Sequence, residues 1–343
     1  MDSLVIPRAD TVHQLTQTLY EVGVVHVRGT PASGKTVLAR LLKEHFERNN
    51  VTVLYFENWK APGRYEFKIM SAGFKQDSRF GQPSYIQEGD YVIIMDDAET
   101  SFDDMEFWNG LVTKALKRES RVQICLFSRY GCPMLGTDRV PYTLHQPGRF
   151  LPRHRVSILP SRMNGAPPFG LYFTRQEFDD VVRRYCAYSY WNPRLRLEEP
   201  AKDKIFDITR GHPGAVASIL ETLREVYREE LGDHSFKLTE EQMNDCFNNL
   251  DFFHQISSPQ FKRSLPGPMV SLEALQVLGR VFENKVIDYE GDNKGSSECY
   301  VGGLVQVDAI KGNRRRFYDR RERVVCVFPS GFHERYFKLA FTD

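Results

Sequence analysis

The sequence predicts an α/β fold, a parallel sheet flanked by helices, followed by a helical lid and a small winged-helix-like module. Three observations predict it. A glycine loop at 29–36 lies between an apolar run and an amphipathic run. Further apolar runs alternate with helical stretches through the first 160 residues, the pattern of a sheet covered on both faces. After 255 the punctuation changes, and Ser257-Ser258-Pro259 and Pro266-Gly267-Pro268 read as a linker. The expected division is 1–160 for the sheet domain, 161–256 for the lid and 260–343 for the last module.

The first strand is Val24-Val25-His26-Val27, apolar enough to be buried. Gly29-Thr30-Pro31-Ala32-Ser33-Gly34-Lys35-Thr36 follows and matches G-x-x-x-x-G-K-[ST], the phosphate-binding P-loop. Val37, Leu38, Leu41, Leu42 and Phe46 then share one helix face. Strand, glycine loop and helix are the context this motif requires, and they predict a P-loop NTPase. Gly29 and Gly34 let the backbone curl so that its N–H groups point at phosphate oxygens. The helix start adds its positive end. Lys35 is expected to reach the β- and γ-phosphates and the Thr36 hydroxyl to ligate Mg²⁺. Residues 29–37, ending at Val37, are the candidate nucleotide-binding segment.

Val51-Thr52-Val53-Leu54-Tyr55-Phe56 reads as a peripheral strand. Tyr91-Val92-Ile93-Ile94-Met95 is a buried strand ending in Asp96-Asp97. The C-terminal ends of parallel strands face the ligand, so Asp96 is the candidate Mg²⁺ ligand opposite Thr36. Asp97 stands where many ATPases keep the base that polarises the attacking water, one methylene shorter than glutamate. Glu99, two positions on, could contribute. The alternative is a strand end capped by acids before a helix at Phe102–Leu116. Val122-Gln123-Ile124-Cys125-Leu126-Phe127 is another strand, ending in Ser128-Arg129. Where such a strand is inserted between the P-loop strand and the acidic strand, its end carries a polar residue that senses the γ-phosphate. Ser128 is that candidate. Arg129 is a phosphate contact, in cis or across a subunit interface, or else part of a solvated turn. His154–Leu159 is a fifth strand, and the Gly-, Pro- and Arg-rich loop at 131–153 is long for a compact domain.

Thr174-Arg175-Gln176-Glu177 is a capping box that opens a helix through Phe178, Val181, Val182 and Tyr185. The chain breaks at Trp191-Asn192-Pro193, and Lys202–Thr209 is a short helix. Gly211-His212-Pro213-Gly214 starts another, through Val216, Ile219, Leu220, Leu223 and Tyr227, with Pro at a favoured first position. His212 is either a cap residue or a lid residue that touches the nucleotide. In the last module, Leu272, Leu275, Leu278 and Phe282 line a helix, Glu298–Val305 is a second, and Val324–Pro329 is a strand. The basic stretch before that strand holds Arg314, Arg315 and Arg316 with Phe317 and Tyr318. Such a wing could track a nucleic-acid backbone, or its charge could keep an edge strand from pairing.

Lys+Arg 46 against Asp+Glu 45 leaves a net charge of +1, so the chain as a whole makes no case for nucleic acid. No apolar run approaches the ~20 residues of a membrane span, and the N-terminus carries no signal-peptide core. The 6 cysteines contain no C-x-x-C pair, which points to a reducing compartment rather than a disulfide framework or a zinc site. An intracellular location, in cytoplasm or nucleus, is expected.

The chain resembles the P-loop ATPase module of fungal Crinkler-type effector proteins, related to the STAND and AAA+ ATPases. The residues that carry the resemblance are Val25–Thr36, Met95-Asp96-Asp97-Ala98-Glu99, Trp108-Asn109, Ser128–Pro133, Gly211-His212-Pro213-Gly214 and Val327–Tyr336. The resemblance implies ATP as the nucleotide, an ATPase domain, a helical lid and a winged-helix segment that often precedes a nuclease-like domain. It leaves host-directed secretion open. The family's acidic pair resembles Asp-Glu where this chain has Asp96-Asp97. No nuclease follows before Asp343, and no ubiquitin-like domain precedes the loop. The leading expectation is a Mg-dependent ATPase, a hydrolase of a phosphoric anhydride, acting as a conformational switch. A nucleotide-binding interaction module with little or no hydrolysis is the alternative. A kinase acting on a small molecule or nucleic acid is third, since P-loop kinases share the loop. A protein partner or self-association stays open.

Overall fold

A computed structural model describes residues 4–59, 65, 68, 69, 90–131, 150–188, 193–310 and 323–342. One sheet holds β1 (Val24–Arg28), β2 (Val53–Phe56), β3 (Val92–Met95), β4 (Gln123–Ser128) and β5 (Arg155–Val156). Its order is β2-β3-β4-β1-β5, and every neighbouring pair is parallel. β4 therefore lies between the P-loop strand and the acidic strand. Period-two alternation decides the faces. Val25, Val27, Val92, Ile94, Cys125 and Phe127 pack with α1 (Ala9–Val22) and α2 (Lys35–Arg48). Val24, Ile93, Met95, Ile124 and Leu126 pack on the opposite face with Phe107, Trp108 and Leu111. Burial of both faces is why each strand reads as a continuous apolar run. This is the α/β P-loop NTPase fold that the sequence predicts.

The helix after β3 and the fifth strand differ from expectation, each for a local reason. The helix expected from Phe102 begins near residue 105, after a 3₁₀ turn at Ala98–Ser101. The Asp104 carboxylate accepts the Phe107 N–H at 3.0 Å and sets that start. The helix runs as a π-helix over Phe107–Val112 before α3 (Thr113–Leu116). Of 154–159, only Arg155–Val156 pairs with β1. The Ser157 and Ile158 carbonyls turn instead to the N–H groups of Leu171 and Tyr172, both at 2.9 Å. α1 goes beyond the sequence expectation, with Val12, Leu15, Leu19 and Val22 on its buried face.

The helical subdomain opens on the capping box of α4 (Arg175–Ala187). Thr174 Oγ1 accepts the Glu177 N–H at 3.2 Å, and Glu177 Oε2 accepts the Thr174 N–H at 2.9 Å. α5 (Glu199–Thr209), α6 (Pro213–Val226), α7 (Glu240–Phe247) and α8 (Leu250–Gln255) share its apolar core. The first half of the expected linker is helical, while Pro266-Gly267-Pro268 lies outside any helix or strand. Ser258 caps α9 (Pro259–Lys262), and Phe261 is fully buried in the same core. Ser and Pro punctuate here as an N-cap and a first helical residue.

The last module runs α10 (Leu272–Asn284), β6 (Ile287–Asp288), α11 (Lys294–Gly302), β7 (Gln306–Ile310), β8 (Arg323–Val327) and α12 (Gly331–Phe341). Its strands form an antiparallel sheet ordered β6-β8-β7. α11 starts before Glu298 because Asn293 caps it, accepting the Ser296 N–H at 2.9 Å. It stops at Gly303, whose φ of 75° suits glycine. Arg314, Arg315 and Arg316 lie outside the described residues, as do Cys132 and Trp191-Asn192. Cys125, Cys186, Cys246, Cys299 and Cys326 are free thiols. No helix of the described residues is long and apolar enough to cross a membrane.

Candidate nucleotide site

The loop from Gly29 to Thr36 bends where its residue types allow. Gly34 sits at φ 92° and Ala32 at φ 58°. Gly29 has no room for a side chain, since a Cβ there would lie 2.5 Å from both Leu171 Cδ2 and Ser33 Oγ. The Ser33 hydroxyl and N–H both close onto the Thr30 carbonyl, at 2.7 and 3.3 Å. α2 begins at Lys35 behind Gly34, and no side chain caps it. Its first-turn N–H groups are the donors an anion takes at a helix start. Lys35 is buried and folds back over the loop, donating to the Gly29 carbonyl at 2.7 Å and the Thr30 carbonyl at 2.8 Å. Burial lowers its pKa to about 8, while Glu99, Asp96 and Asp97, in that order, pull the other way. Val37 follows on the exposed side, at 40%.

Asp96 leaves β3 on the face of Val92 and Ile94, the face that α2 covers. It is 5% exposed. Burial raises its pKa, and a hydrogen bond with the exposed Thr36 hydroxyl opposes the rise. Thr36 and Asp96, brought together as expected, are hard oxygen donors that suit Mg²⁺. Among the described residues, no group of three or more His, Cys, Asp or Glu could hold a metal. Were Mg²⁺ bound here, this chain's donors would be the hydroxyl and one carboxylate, with phosphate and water for the rest.

The acids after Asp96 part company. Asp97 sits at φ 48°, exposed, and begins the 3₁₀ turn. Glu99 points inward with its side chain 3% exposed. Its Oε1 accepts from Arg129 Nε at 2.8 Å and its Oε2 from the Arg129 N–H at 3.3 Å. Ser128 also departs from expectation. Its hydroxyl is 2.6 Å from His26 Nε2 and donates to the Tyr130 carbonyl at 3.0 Å. Alternation puts Ser128 on the face of Leu126 and Ile124, away from α2, so Arg129 is the residue at this strand end that meets the acids.

His212 caps α6, its Nδ1 accepting the Ala215 N–H at 3.2 Å. The neutral ring then carries its proton on Nε2, which has no hydrogen-bond partner among the described residues. Burial holds its pKa at about 3. The α6 start lies directly on the loop: the Gly214 N–H donates to the Ala32 carbonyl at 2.9 Å, and a Cβ on Gly34 would meet Pro213 Cγ at 3.1 Å. The last module reaches the same place. Gly303 backs onto Pro31, and Arg28, one residue before the loop, donates to Tyr300 Oη at 3.1 Å and pairs with Asp308 at 3.5 Å. Tyr300 Oη also accepts the Gly131 N–H.

Other neighbours carry no sequence signal. Arg8, 3% exposed, donates to the Leu171 carbonyl at 2.9 Å and pairs with Glu177 at 3.1 Å. Tyr172 packs 4.9 Å from the His212 ring and donates to the Pro329 carbonyl at 3.2 Å. Only their tertiary position singles them out. A groove of about 2020 Å³ runs past Arg8, Tyr172, Glu177, Arg184 and Leu195, but neither residues 29–36 nor Asp96 nor Glu99 lines it. The chemistry follows the loop, so the groove is not the phosphate site.

The chain matches no family model and no curated protein. Among solved structures it is similar to the RuvB Holliday junction branch migration motor of Thermotoga maritima, at 12% identity over 92% of this chain and 91% of that one, with a TM-score of 0.42. It is similar to the Walker-type ATPase paby2304 of Pyrococcus abyssi, at 11% identity over 96% and 95%, with a TM-score of 0.42. It is also similar to the Aeropyrum pernix ORC1 protein solved in complex with DNA, at 14% identity over 98% and 93%, with a TM-score of 0.37.

Proposed function

We propose that this chain binds and hydrolyses ATP with Mg²⁺ and uses the reaction as a conformational switch. One observation carries the proposal: a buried Lys35 folded over the Gly29–Thr36 loop beside a Thr36–Asp96 pair. In this reading the loop N–H groups and Lys35 hold the phosphates. Thr36 and Asp96 hold Mg²⁺, which when bound draws charge from the phosphate oxygens. Arg129 sits within reach of the acids, and the His212 Nε2–H is a spare donor beside the loop. The helical subdomain at 161–256 would respond through Gly214 on Ala32, and the module at 260–343 through Gly303 on Pro31. Placement among Crinkler-type modules rests on the sequence motifs alone. ATP over GTP comes from that resemblance.

The test is phosphate release with Mg-ATP and Mg-GTP beside a binding titration, for wild type, Lys35→Ala and Asp97→Ala. Lys35→Ala is expected to weaken binding at least about tenfold and abolish turnover. Tight wild-type binding without turnover would favour the interaction module instead. For the switch, ATP should change the protease sensitivity of 161–256, and an unchanged digestion pattern sinks it. Nucleic-acid contact through Arg314, Arg315 and Arg316 is a subsidiary proposal. Binding should weaken with salt and on their change to alanine.

A further inference from the structure

We infer that Glu99, rather than Asp97, is the carboxylate that takes the proton of the attacking water, with Arg129 as its positioning residue. The inference rests on the ATPase reading above. Sequence adjacency favours Asp97, but the backbone does not. At φ 48° Asp97 occupies a left-handed turn that only a few residue types tolerate, and its side chain is exposed. The 3₁₀ turn of Ala98–Ser101 then winds the chain back and delivers Glu99 to the interior.

There the carboxylate is fixed at both oxygens by one residue, Arg129, through its Nε and its backbone N–H. Each oxygen keeps a lone pair for water. Arg129 follows Ser128, whose carbonyl accepts the Gly29 N–H at 3.2 Å, so the Glu99–Arg129 pair stands beside the start of the phosphate loop. The Arg129 side chain is 46% exposed and keeps donors free for a phosphate oxygen. In the step, the water oxygen bonds to the γ-phosphorus as the bond to the β–γ bridging oxygen breaks. ADP leaves with that oxygen, and the water proton passes to Glu99, which later gives it to solvent. ATP and water thus yield ADP, phosphate and a proton.

The test is single-turnover phosphate release and nucleotide affinity for wild type, E99Q, E99D, D97N and R129K. E99Q is expected to slow turnover about 100-fold or more, the usual scale for loss of a general base, with affinity within about threefold of wild type. D97N should lose clearly less rate than E99Q. E99D keeps the charge and the fold if E99Q does not, and should still lose rate because its carboxylate falls short. R129K keeps a cation and the backbone N–H but loses the Nε donor that fixes Glu99 Oε1, and should lower kcat more than it raises KM. Retained turnover in E99Q, or loss in D97N with E99Q active, overturns the assignment alone. A wild-type chain that binds nucleotide and releases no phosphate overturns the ATPase reading, and the assignment with it.

Discussion

The Thr36 hydroxyl opposes the rise that burial gives the Asp96 pKa, which places the two oxygens side by side. In the proposed site a cation takes both. Thr36→Ala should therefore raise the Mg²⁺ concentration needed for half-maximal nucleotide binding by about tenfold, the loss expected when one ligand of a weak oxygen site is removed. A Mg²⁺ titration at fixed nucleotide reads this directly. An unchanged midpoint removes Thr36 from the metal site. At this scale the sequence spoke clearly for Lys35, Thr36 and Asp96, because their positions follow from a local motif and a strand end. It was silent on Glu99 over Asp97, and on Arg129 over Ser128. Those depend on one left-handed turn and on which sheet face a side chain takes.

Among the elements, the join between α6 and the phosphate loop is tight. A Cβ on Gly214 would lie 2.4 Å from Ala32 Cβ and 2.7 Å from its carbonyl oxygen. Backbone cannot yield as a flexible side chain can. Gly214→Ala should thus destabilise by about 1–3 kcal/mol and weaken nucleotide binding together. Gly279 in α10 is the contrast, with nothing within 4 Å of its added Cβ. Gly279→Ala should stabilise by about 0.5–1 kcal/mol through helix propensity alone. Urea unfolding of both variants checks the pair, and equal effects would mean the α6 contact is loose. The capping box at Thr174 and the Pro start at Pro213 were legible because caps are sequence-local. The linker reading failed at 257–259, because the same residue types also begin short helices and only Phe261 entering the neighbouring core distinguishes them, while Pro266-Gly267-Pro268 does connect α9 to α10 outside any helix.

Among the described residues, four histidines are buried without charge. Burial lowers the pKa of His212 to about 3, that of His154 to about 4, and those of His26 and His333 well below the ordinary value. They sit at junctions: His26 on Ser128, and His333 between Ser330 and Ser264 at 2.8 and 2.9 Å, its ring 5.0 Å from that of His212. Because the folded pKa lies below the unfolded one of about 6.5, their stability is fully present above that pH. As pH falls below it, the unfolded chain takes up protons that the folded chain does not. Each histidine then removes about 1.4 kcal/mol per pH unit, so four remove about 5–6. That is large beside a net stability of ~5–15 kcal/mol. Urea midpoints should hold between pH 8 and 7 and drop steeply toward pH 5. A flat profile would mean these rings are hydrated.

The sequence by itself determined the parallel sheet, the phosphate loop and the acid at the end of β3, since each is written in a short stretch of chain. Period and motif suffice for such features: a strand buried on both faces must be apolar throughout, and glycine suits the turn of the loop at Gly34, where φ is 92°. Tertiary structure alone decided which carboxylate turns inward and which residue of Ser128-Arg129 meets it. It alone placed α6 and the last module on the loop, at Ala32 and Pro31. Those outcomes arise from contacts between residues far apart in the chain, where a single φ angle or a missing Cβ selects among arrangements that local pattern leaves equal.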